Sequence, residues 1–254
     1  MKDGRGPVLL IPAAGQGRRM QGDINKQYLL LAGMPVLART LKTFLDLNFF
    51  LQVIVIIAPG EENIFRSLVQ LPFFPDEKRI VTVQGGEERQ SSVYNGLKFL
   101  RQQKRDVVES IVCVHDGARP LVTAELFHRV FDEALIFGAA IPGVPLKDTI
   151  KEVDRDLNVV GTPSRDNLMA IQTPQCFHFS LLWRAHQRAR EDGFQGSDDA
   201  SLVERLGKKV KVVPGSNENL KITTPIDLLL AETYLNAKAR SLRTGQGQET
   251  FQDH

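Results

Sequence analysis

Residues 51–60, with the sequence LQVIVIIAPG, decide the fold class of this chain. The β-branched apolar residues follow one another without polar alternation, and Pro59 and Gly60 end the run. Strands of this kind are typical of parallel sheets, in which helices cover both faces. The stretch therefore predicts an interior strand of an α/β protein.

Further strands and helices alternate along the chain. Strands are predicted at 7–12, 79–86, 110–118 and 208–215, and helices at 35–47, 91–100, 123–137, 180–190, 198–206 and 225–239. Ser91 or Ser92 is expected to cap the second helix. The alternation predicts an α/β fold, a Rossmann-like, doubly wound sheet that is mixed but mostly parallel.

One region interrupts this alternation. Residues 148–153 and 158–164 are β-prone and flank a polar turn, which predicts a β-hairpin arm, at about 144–168, inserted before the last core strand. Residues 1–240 are expected to form a single domain. Residues 241–254 have little to bury, so a disordered tail is expected.

The composition is that of an ordinary globular protein. Among 254 residues, 32 Lys and Arg balance 30 Asp and Glu, giving a net charge of +2, which does not favour nucleic acid as a partner. No apolar run is long enough for a membrane span or a secretory signal. Cys113 and Cys176 match no metal spacing and no disulfide framework. We therefore expect a cytoplasmic protein, with Cys113 as a packed thiol.

Four polar segments follow predicted strands, at 12–20, 84–92, 115–120 and 215–225. In doubly wound sheets, ligands bind outside the carboxyl ends of the strands. In the first segment Gly15 and Gly17 would let a ligand approach the backbone, and Arg19 and Lys26 add positive charge. The alternative is a turn with solvated basic residues. In the second segment Gly86 would also admit a close ligand, and the alternative is a plain turn followed by a capping box.

Two charged residues mark the other segments. Asp116, at the end of a strand, is a reasonable Mg²⁺ ligand because Mg²⁺ is usually held by one or two carboxylates and substrate phosphates; otherwise it caps the next helix. Lys221, placed on a strand before a Pro-started helix, reaches either the pocket or the surface. Arg165 suits a phosphate or a surface salt bridge. His115 is expected to be structural.

Together these motifs resemble a known enzyme family. The segments PAAGQGRRM, KQY, GGEERQSSV, VHDGARP, DTIKEV, QTPQCF, DDAS and NLKITTP occur in the order and spacing of the 2-C-methyl-D-erythritol 4-phosphate cytidylyltransferases. The resemblance covers about residues 8–237. It implies CMP transfer from CTP to 2-C-methyl-D-erythritol 4-phosphate, in the non-mevalonate isoprenoid pathway, with Mg²⁺ as cofactor. It also implies a homodimer in which the hairpin arm serves the partner's site.

The resemblance implies roles for individual residues. The catalytic residues would be Arg19, Lys26 and Lys221, and Asp116 would meet the metal. The nucleotide would be bound by Pro12, Ala13, Ala14, Gly15, Gly17, Gly86, Glu87, Ser92, Asp116 and Gly117. The sugar phosphate would be bound by Arg119, Thr149, Arg165, Thr173 and Ser197, together with Lys221.

Three alternatives are considered, the first from the same superfamily and the other two from other functional classes. A ribitol-5-phosphate cytidylyltransferase would share the glycine loop and the lysine. A non-catalytic nucleotide-binding protein would be expected to lack Arg19, Lys26 or Asp116, and all three are present. A nicotinamide-dependent oxidoreductase would need a third glycine after Gly17 and an acidic residue at the end of the second strand. The sequence shows neither feature.

Overall fold

The computed structural model describes residues 6–15, 25–103 and 110–243. The predictions made for Gly17 and Arg19 therefore lie outside the described residues, as does most of the predicted tail. None of the helices in the described part of the chain combines the length and apolar character that crossing a membrane requires.

The strands and helices of the described residues follow the predicted alternation. The strands are β1 (Val8–Pro12), β2 (Leu30–Leu31), β3 (Met34–Pro35), β4 (Gln52–Ile57), β5 (Ile80–Gln84), β6 (Ile111–Val114), β7 (Ala139–Pro145), β8 (Glu152–Val153), β9 (Val159–Gly161), β10 (Met169–Ile171), β11 (Gln175–His178) and β12 (Lys211–Pro214). The helices are α1 (Val36–Asp46), α2 (Glu62–Phe65), α3 (Leu71–Phe73), α4 (Arg89–Gln102), α5 (Ala124–Phe137), α6 (Phe179–Glu191), α7 (Asp199–Arg205) and α8 (Pro225–Arg243).

The central sheet has eight strands, in the order β10-β7-β11-β6-β1-β4-β5, and β12 pairs with β7. The strands β6, β1, β4 and β5 are parallel to one another, and β12 is parallel to β7. The strands β10 and β11 run antiparallel to their neighbours. The prediction of a mixed, mostly parallel sheet is confirmed.

Both faces of the sheet are buried. Along β1, Leu9 and Ile11 pack into one apolar cluster with α1 and α5, whereas Val8 and Leu10 pack into another with α4, α6 and α7. Successive side chains of a strand point to opposite faces, so a strand covered on both sides must be apolar throughout. This is the physical reason for the unbroken run in β4.

The predicted hairpin is present. The strands β8 and β9 pair antiparallel in a small sheet of their own, apart from the central sheet. Its apolar residues Val153, Leu157, Val159 and Val160 are exposed. The role of this arm in dimerisation stays a prediction.

Several local expectations differ from the structure. The N-cap of α4 is Glu88, and Ser91 takes the third position of a capping box, because the helix begins earlier than predicted, at Arg89. Lys221 lies in a segment without regular secondary structure and not in a strand as predicted. The strands β2, β3, β7, β10 and β11 and the short helices α2 and α3 were not predicted. The helix α8 continues past its predicted end at Ala239 to Arg243.

The expectation for the cysteines was wrong. Cys113 on β6 and Cys176 on β11 are direct partners in the antiparallel register, with Cα atoms 4.1 Å apart, and their sulfur atoms are paired as a disulfide. The sequence separation is 63 residues. A pairing across neighbouring strands depends on register, which cysteine spacing does not reveal.

Candidate active site

Two pockets open at the carboxyl ends of the parallel strands. The first pocket lies beside the loops that follow β1, β5 and β6. The predicted residues that line it are Pro12, Ala13, Ala14, Gly15, Lys26, Gly86, Glu87, Ser92, Asp116, Gly117 and Lys221. The second pocket is lined by the predicted residues Asp116, Arg119, Thr173, Ser197 and Lys221. The structure thus brings together most of the predicted site.

The two pockets meet at Arg89, Asp116 and Lys221, which line both of them. Two ligands bound side by side would therefore face each other across these three charged residues. This junction is where a reaction between the two ligands would take place.

Close packing explains the glycine-rich segment after β5. A Cβ atom built on Gly85 would lie 2.5 Å from the Cβ of Ala14, so this position requires glycine. The Ser92 hydroxyl accepts a hydrogen bond from the Gly86 amide at 3.1 Å, which closes the turn. The result is a wall of small residues next to the start of α4, whose first amide groups favour an anion.

Asp116 is surrounded by three cations. Its Oδ2 lies 2.8 Å from Lys221 Nζ and 3.8 Å from Arg119 Nε, and its Oδ1 lies 3.1 Å from Arg89 Nε. Burial by itself would raise the pKa of this carboxyl group, but the charges of Arg89, Lys221 and Arg119 outweigh it and hold the pKa well below its usual range. Asp116 is therefore an anion at neutral pH.

Arg89 was not among the predicted site residues. Its Nη1 lies 2.7 Å from Oδ2 of the buried Asp199, and Asp199 Oδ1 lies 3.1 Å from His186 Nε2. Burial lowers the pKa of Arg89, but Asp199 and Asp116 more than compensate and raise it above the ordinary value. One signal could have indicated this role: an arginine stands at the first position of a helix that follows a glycine turn.

A chain of hydrogen bonds through Thr173 and His115 supports the backbone of Asp116. The Asp116 amide donates to the Thr173 hydroxyl at 3.1 Å, and Thr173 Oγ1 lies 3.0 Å from His115 Nδ1. His115 Nε2 lies 3.0 Å from the Arg119 carbonyl oxygen, which can only accept, so the imidazole carries its proton on Nε2. The Thr173 hydroxyl then donates to Nδ1. His115 is fully buried and has the structural role expected for it.

The two predicted lysines lie close to each other. Lys26 begins a 3₁₀ turn, Lys26–Tyr28, and its Nζ donates to the Ile222 carbonyl at 3.2 Å, one residue after Lys221. The Ile222 amide in turn donates to the Ala118 carbonyl at 2.8 Å. This bond holds the Lys221 segment against the Asp116 loop without strand pairing.

Two predicted residues lie apart from this cluster. Thr149 and Arg165 are exposed on or beside the hairpin arm, and neither lines the first or the second pocket. Arg165 Nη1 donates to the Lys147 carbonyl. Ser197 lines the second pocket but is exposed. The structure of one chain therefore does not bring Thr149 and Arg165 to the site.

The described residues contain no group of three or more His, Cys, Asp and Glu side chains that could hold a metal ion by themselves. Asp116 nevertheless offers a buried carboxylate at the junction, and one carboxylate with substrate phosphates is an ordinary arrangement for Mg²⁺. The donor set fits a metal that arrives with a phosphate ligand.

The doubly wound sheet, the glycine-lined pocket at its ligand edge and the converging cations define the class: an α/β nucleotide-binding protein with a second, anion-accepting pocket. The model of the 2-C-methyl-D-erythritol 4-phosphate cytidylyltransferase family, IspD, matches residues 8–237. The chain belongs to this family, and the predicted resemblance is confirmed.

Individual relatives agree with the family match. The 2-C-methyl-D-erythritol 4-phosphate cytidylyltransferase of Bacillus mycoides is 46% identical over 233 residues, which are 92% of this chain and 99% of that protein. The enzyme of the same name from Geobacillus thermodenitrificans is 45% identical over 229 residues, covering 90% and 96%.

Solved structures agree as well. The crystal structure of 4-diphosphocytidyl-2C-methyl-D-erythritol synthase from Anaerococcus prevotii superposes with a TM-score of 0.77 at 32% identity and covers 92% of this chain and 100% of that chain. The 2-C-methyl-D-erythritol 4-phosphate cytidylyltransferase of Thermus thermophilus gives a TM-score of 0.72 at 35% identity, covering 91% and 99%. These matches favour methylerythritol phosphate over the ribitol alternative.

Proposed function

We propose that this chain performs the reaction of its family at the junction of the two pockets. The chain is a cytidylyltransferase, which transfers CMP from CTP to 2-C-methyl-D-erythritol 4-phosphate and releases pyrophosphate. The observation that carries the proposal is that Arg89, Asp116 and Lys221 line both pockets. We assign CTP to the first pocket and the sugar phosphate to the second.

The chemistry requires charge neutralisation more than a base. The substrate phosphate attacks the α-phosphorus of CTP, and pyrophosphate leaves. The second pKa of a phosphate monoester is about 6, so the nucleophile is already ionised at neutral pH. The remaining barrier comes from repulsion between two anions and from charge that develops at phosphorus, and it is lowered by positioning and by fixed cations.

The lysines provide these cations. Lys26, at the first pocket, is assigned to the triphosphate, and Arg19 is assigned the same role from sequence alone. Lys221, at the junction, is assigned to the attacking phosphate of the second substrate. Its contact with Asp116 holds the ammonium group between the two pockets before the substrates meet.

Mg²⁺ is the proposed cofactor, with Asp116 as its protein ligand. When bound, the ion would neutralise phosphate charge and favour departure of pyrophosphate. The negative charge that Asp116 keeps at neutral pH, despite its burial, supports this assignment. The buried Thr173, itself hydrogen-bonded to His115, accepts from the Asp116 amide and holds the Asp116 backbone in place.

The base pocket is assigned to the small residues of the first pocket. Ala13, Ala14 and Gly86 leave a narrow space, and the contact between Gly85 and Ala14 leaves no room for larger side chains. A pocket of this kind would admit a pyrimidine and exclude a purine by size.

A homodimer through the hairpin arm is also proposed. The arm forms its own small sheet and exposes Val153, Leu157, Val159 and Val160. Thr149 and Arg165 lie at this arm and away from the pockets of their own chain, so a partner's second pocket is the natural place for them. The cytoplasm is the proposed compartment, since CTP and a sugar phosphate are ionised and do not cross a bilayer unaided.

The test is pyrophosphate release from CTP with either methylerythritol phosphate or ribitol 5-phosphate, each with and without Mg²⁺. We expect release only with methylerythritol phosphate and Mg²⁺. Release with ribitol 5-phosphate alone would overturn the substrate assignment. Undiminished release after removal of divalent ions with EDTA would overturn the metal assignment.

A further inference from the structure

Glu61 is a buried carboxylate that does not line either pocket. It follows the turn at Pro59 and Gly60, just after β4. Three side chains of one short segment donate to it: Asn25 Nδ2 to Oε1, Tyr28 OH to Oε2 at 3.0 Å, and Gln27 Nε2 to Oε2 at 3.5 Å. All three donors flank Lys26.

Lys26 faces the opposite way. The side chains of Asn25, Gln27 and Tyr28 donate to Glu61, whereas the Lys26 side chain donates to the Ile222 carbonyl at 3.2 Å. Both Lys26 and Gln27 line the first pocket. The 3₁₀ turn is thus held from its buried side and presents the lysine on its other side. Glu61 therefore contacts all residues of the segment 25–28 except Lys26.

Gln27 also connects Glu61 to the glycine loop that follows β1. Its Nε2 also donates to the Ala13 carbonyl at 2.7 Å, so the amide group bridges Glu61 and the backbone that follows β1. Burial, and secondly the nearby Glu61 charge, raise the pKa of Tyr28 well above its usual range. The phenol therefore stays protonated and keeps donating to Glu61.

We propose that Glu61 is a positioning residue for Lys26, and this proposal rests on the catalytic role assigned to Lys26 above. Lysine is a point charge on a flexible stem, so its effect on a transition state depends on where its backbone is held. A displacement of about 1 Å in a reacting group can cost roughly 10²-fold in rate. Glu61 holds the Lys26 turn through three side chains and touches no substrate itself.

The change Glu61→Gln tests this with little change in volume. A carboxylate accepts from all three donors, whereas an amide has one accepting oxygen and an NH₂ group that would face other donors. We expect kcat to fall roughly 10- to 100-fold, with a smaller change in KM for CTP. Glu62→Gln is the matched control, since Glu62 is the exposed neighbour that contacts Gln84, and its kcat should equal that of the unchanged enzyme.

A double variant separates positioning from a general structural role. If Glu61 acts through Lys26, then Glu61→Gln should add less than about twofold to the loss already present in Lys26→Ala. Equal losses in both backgrounds, or an unchanged kcat in Glu61→Gln, would overturn the proposal. Normal kcat in Lys26→Ala itself would instead overturn the role of Lys26 in the proposed function.

Tyr28→Phe provides a second variant in case Glu61→Gln does not fold. It removes one donor to Glu61 and keeps the ring in place. We expect a smaller loss of kcat that is again absent in the Lys26→Ala background, with circular dichroism and urea unfolding as checks of folding. A loss that persists in that background would contradict the proposal.

Discussion

The Lys221 ammonium group lies 2.8 Å from Oδ2 of Asp116, at the place where the first and second pockets meet. One residue is assigned to the phosphate nucleophile and the other to the metal. Each is therefore held in place by the other, and the charge of Asp116 underlies both roles. This relationship makes Asp116 the most informative residue for tests of stability and of pH dependence.

Asp116→Asn should lower the free energy of unfolding by about 1–3 kcal/mol at pH 7, because the buried Arg119 loses its anion, whereas solvent partly screens Arg89 and Lys221. The folded-state pKa of Asp116 is depressed, so its stabilising effect is complete above about pH 4 and is lost as the pH falls further. Urea unfolding between pH 7 and pH 3 should show that the difference in unfolding free energy between Asp116→Asn and the unchanged protein becomes smaller as the pH falls. The exposed Asp46→Asn is the control, and a difference that stays constant with pH would contradict the prediction.

His115→Gln should change stability over a different pH range. Burial lowers the pKa of His115 to about 4, whereas the unfolded chain takes up this proton below about pH 6.5. The unchanged protein should therefore lose up to about 3 kcal/mol as the pH falls from 6.5 to 4, a loss that His115→Gln lacks. Urea unfolding measures this, with His128→Gln on the exposed side of α5 as control. Parallel pH profiles for the unchanged protein and His115→Gln would be inconsistent with a neutral buried imidazole.

Lys26→Ala should fold normally and lose about 10²–10³ in kcat, the usual effect of removing one preorganised charge donor. Pyrophosphate release at saturating CTP and sugar phosphate gives the measurement. Lys42→Ala, which removes an exposed lysine paired with Asp46, controls for loss of a positive charge. If Lys26→Ala and Lys42→Ala have the same kcat, the catalytic role assigned to Lys26 is wrong.

Arg165→Ala should weaken methylerythritol phosphate binding about 10- to 100-fold and leave CTP binding nearly unchanged, because only the sugar phosphate would contact the arm. Isothermal titration with each substrate measures both affinities. Arg155→Ala, in the exposed turn of the same hairpin, is the matched control. Greater weakening of CTP binding would mean that the division of the two pockets is wrong.

Mixing two impaired variants tests whether the arm acts across a dimer. If the arm serves the partner's site, both changes fall in one site of a heterodimer of Lys26→Ala and Arg165→Ala chains, and the other site is unaltered. After denaturation and refolding of an equal mixture, about a quarter of the unchanged activity should return if the arm serves the partner of a twofold dimer. No recovery, with dimers confirmed by sedimentation, would place Arg165 in the site of its own chain.

The sequence could predict those parts of the candidate site that depend on the backbone and on a position at the end of a strand. Gly15, Gly86 and Asp116 follow parallel strands, and the carboxyl ends of such strands meet at one edge, so their convergence follows from the alternation of elements. Arg89 and Glu61 were missed because their roles depend on partners far along the chain. The role of Arg89 depends on its ion pair with Asp199, and the role of Glu61 depends on the hydrogen bonds that it accepts from the Lys26 turn.

The sequence by itself determined the fold class, the ligand edge and the family, because unbroken apolar runs require a sheet covered on both faces and the motifs at its edge are local. Only the tertiary structure decided the pairing of Cys113 with Cys176, the cations around Asp116 and the anchoring of Lys26 by Glu61. These are contacts between distant segments. Their geometry depends on strand register and on the competition between burial and charge, which neither composition nor spacing specifies.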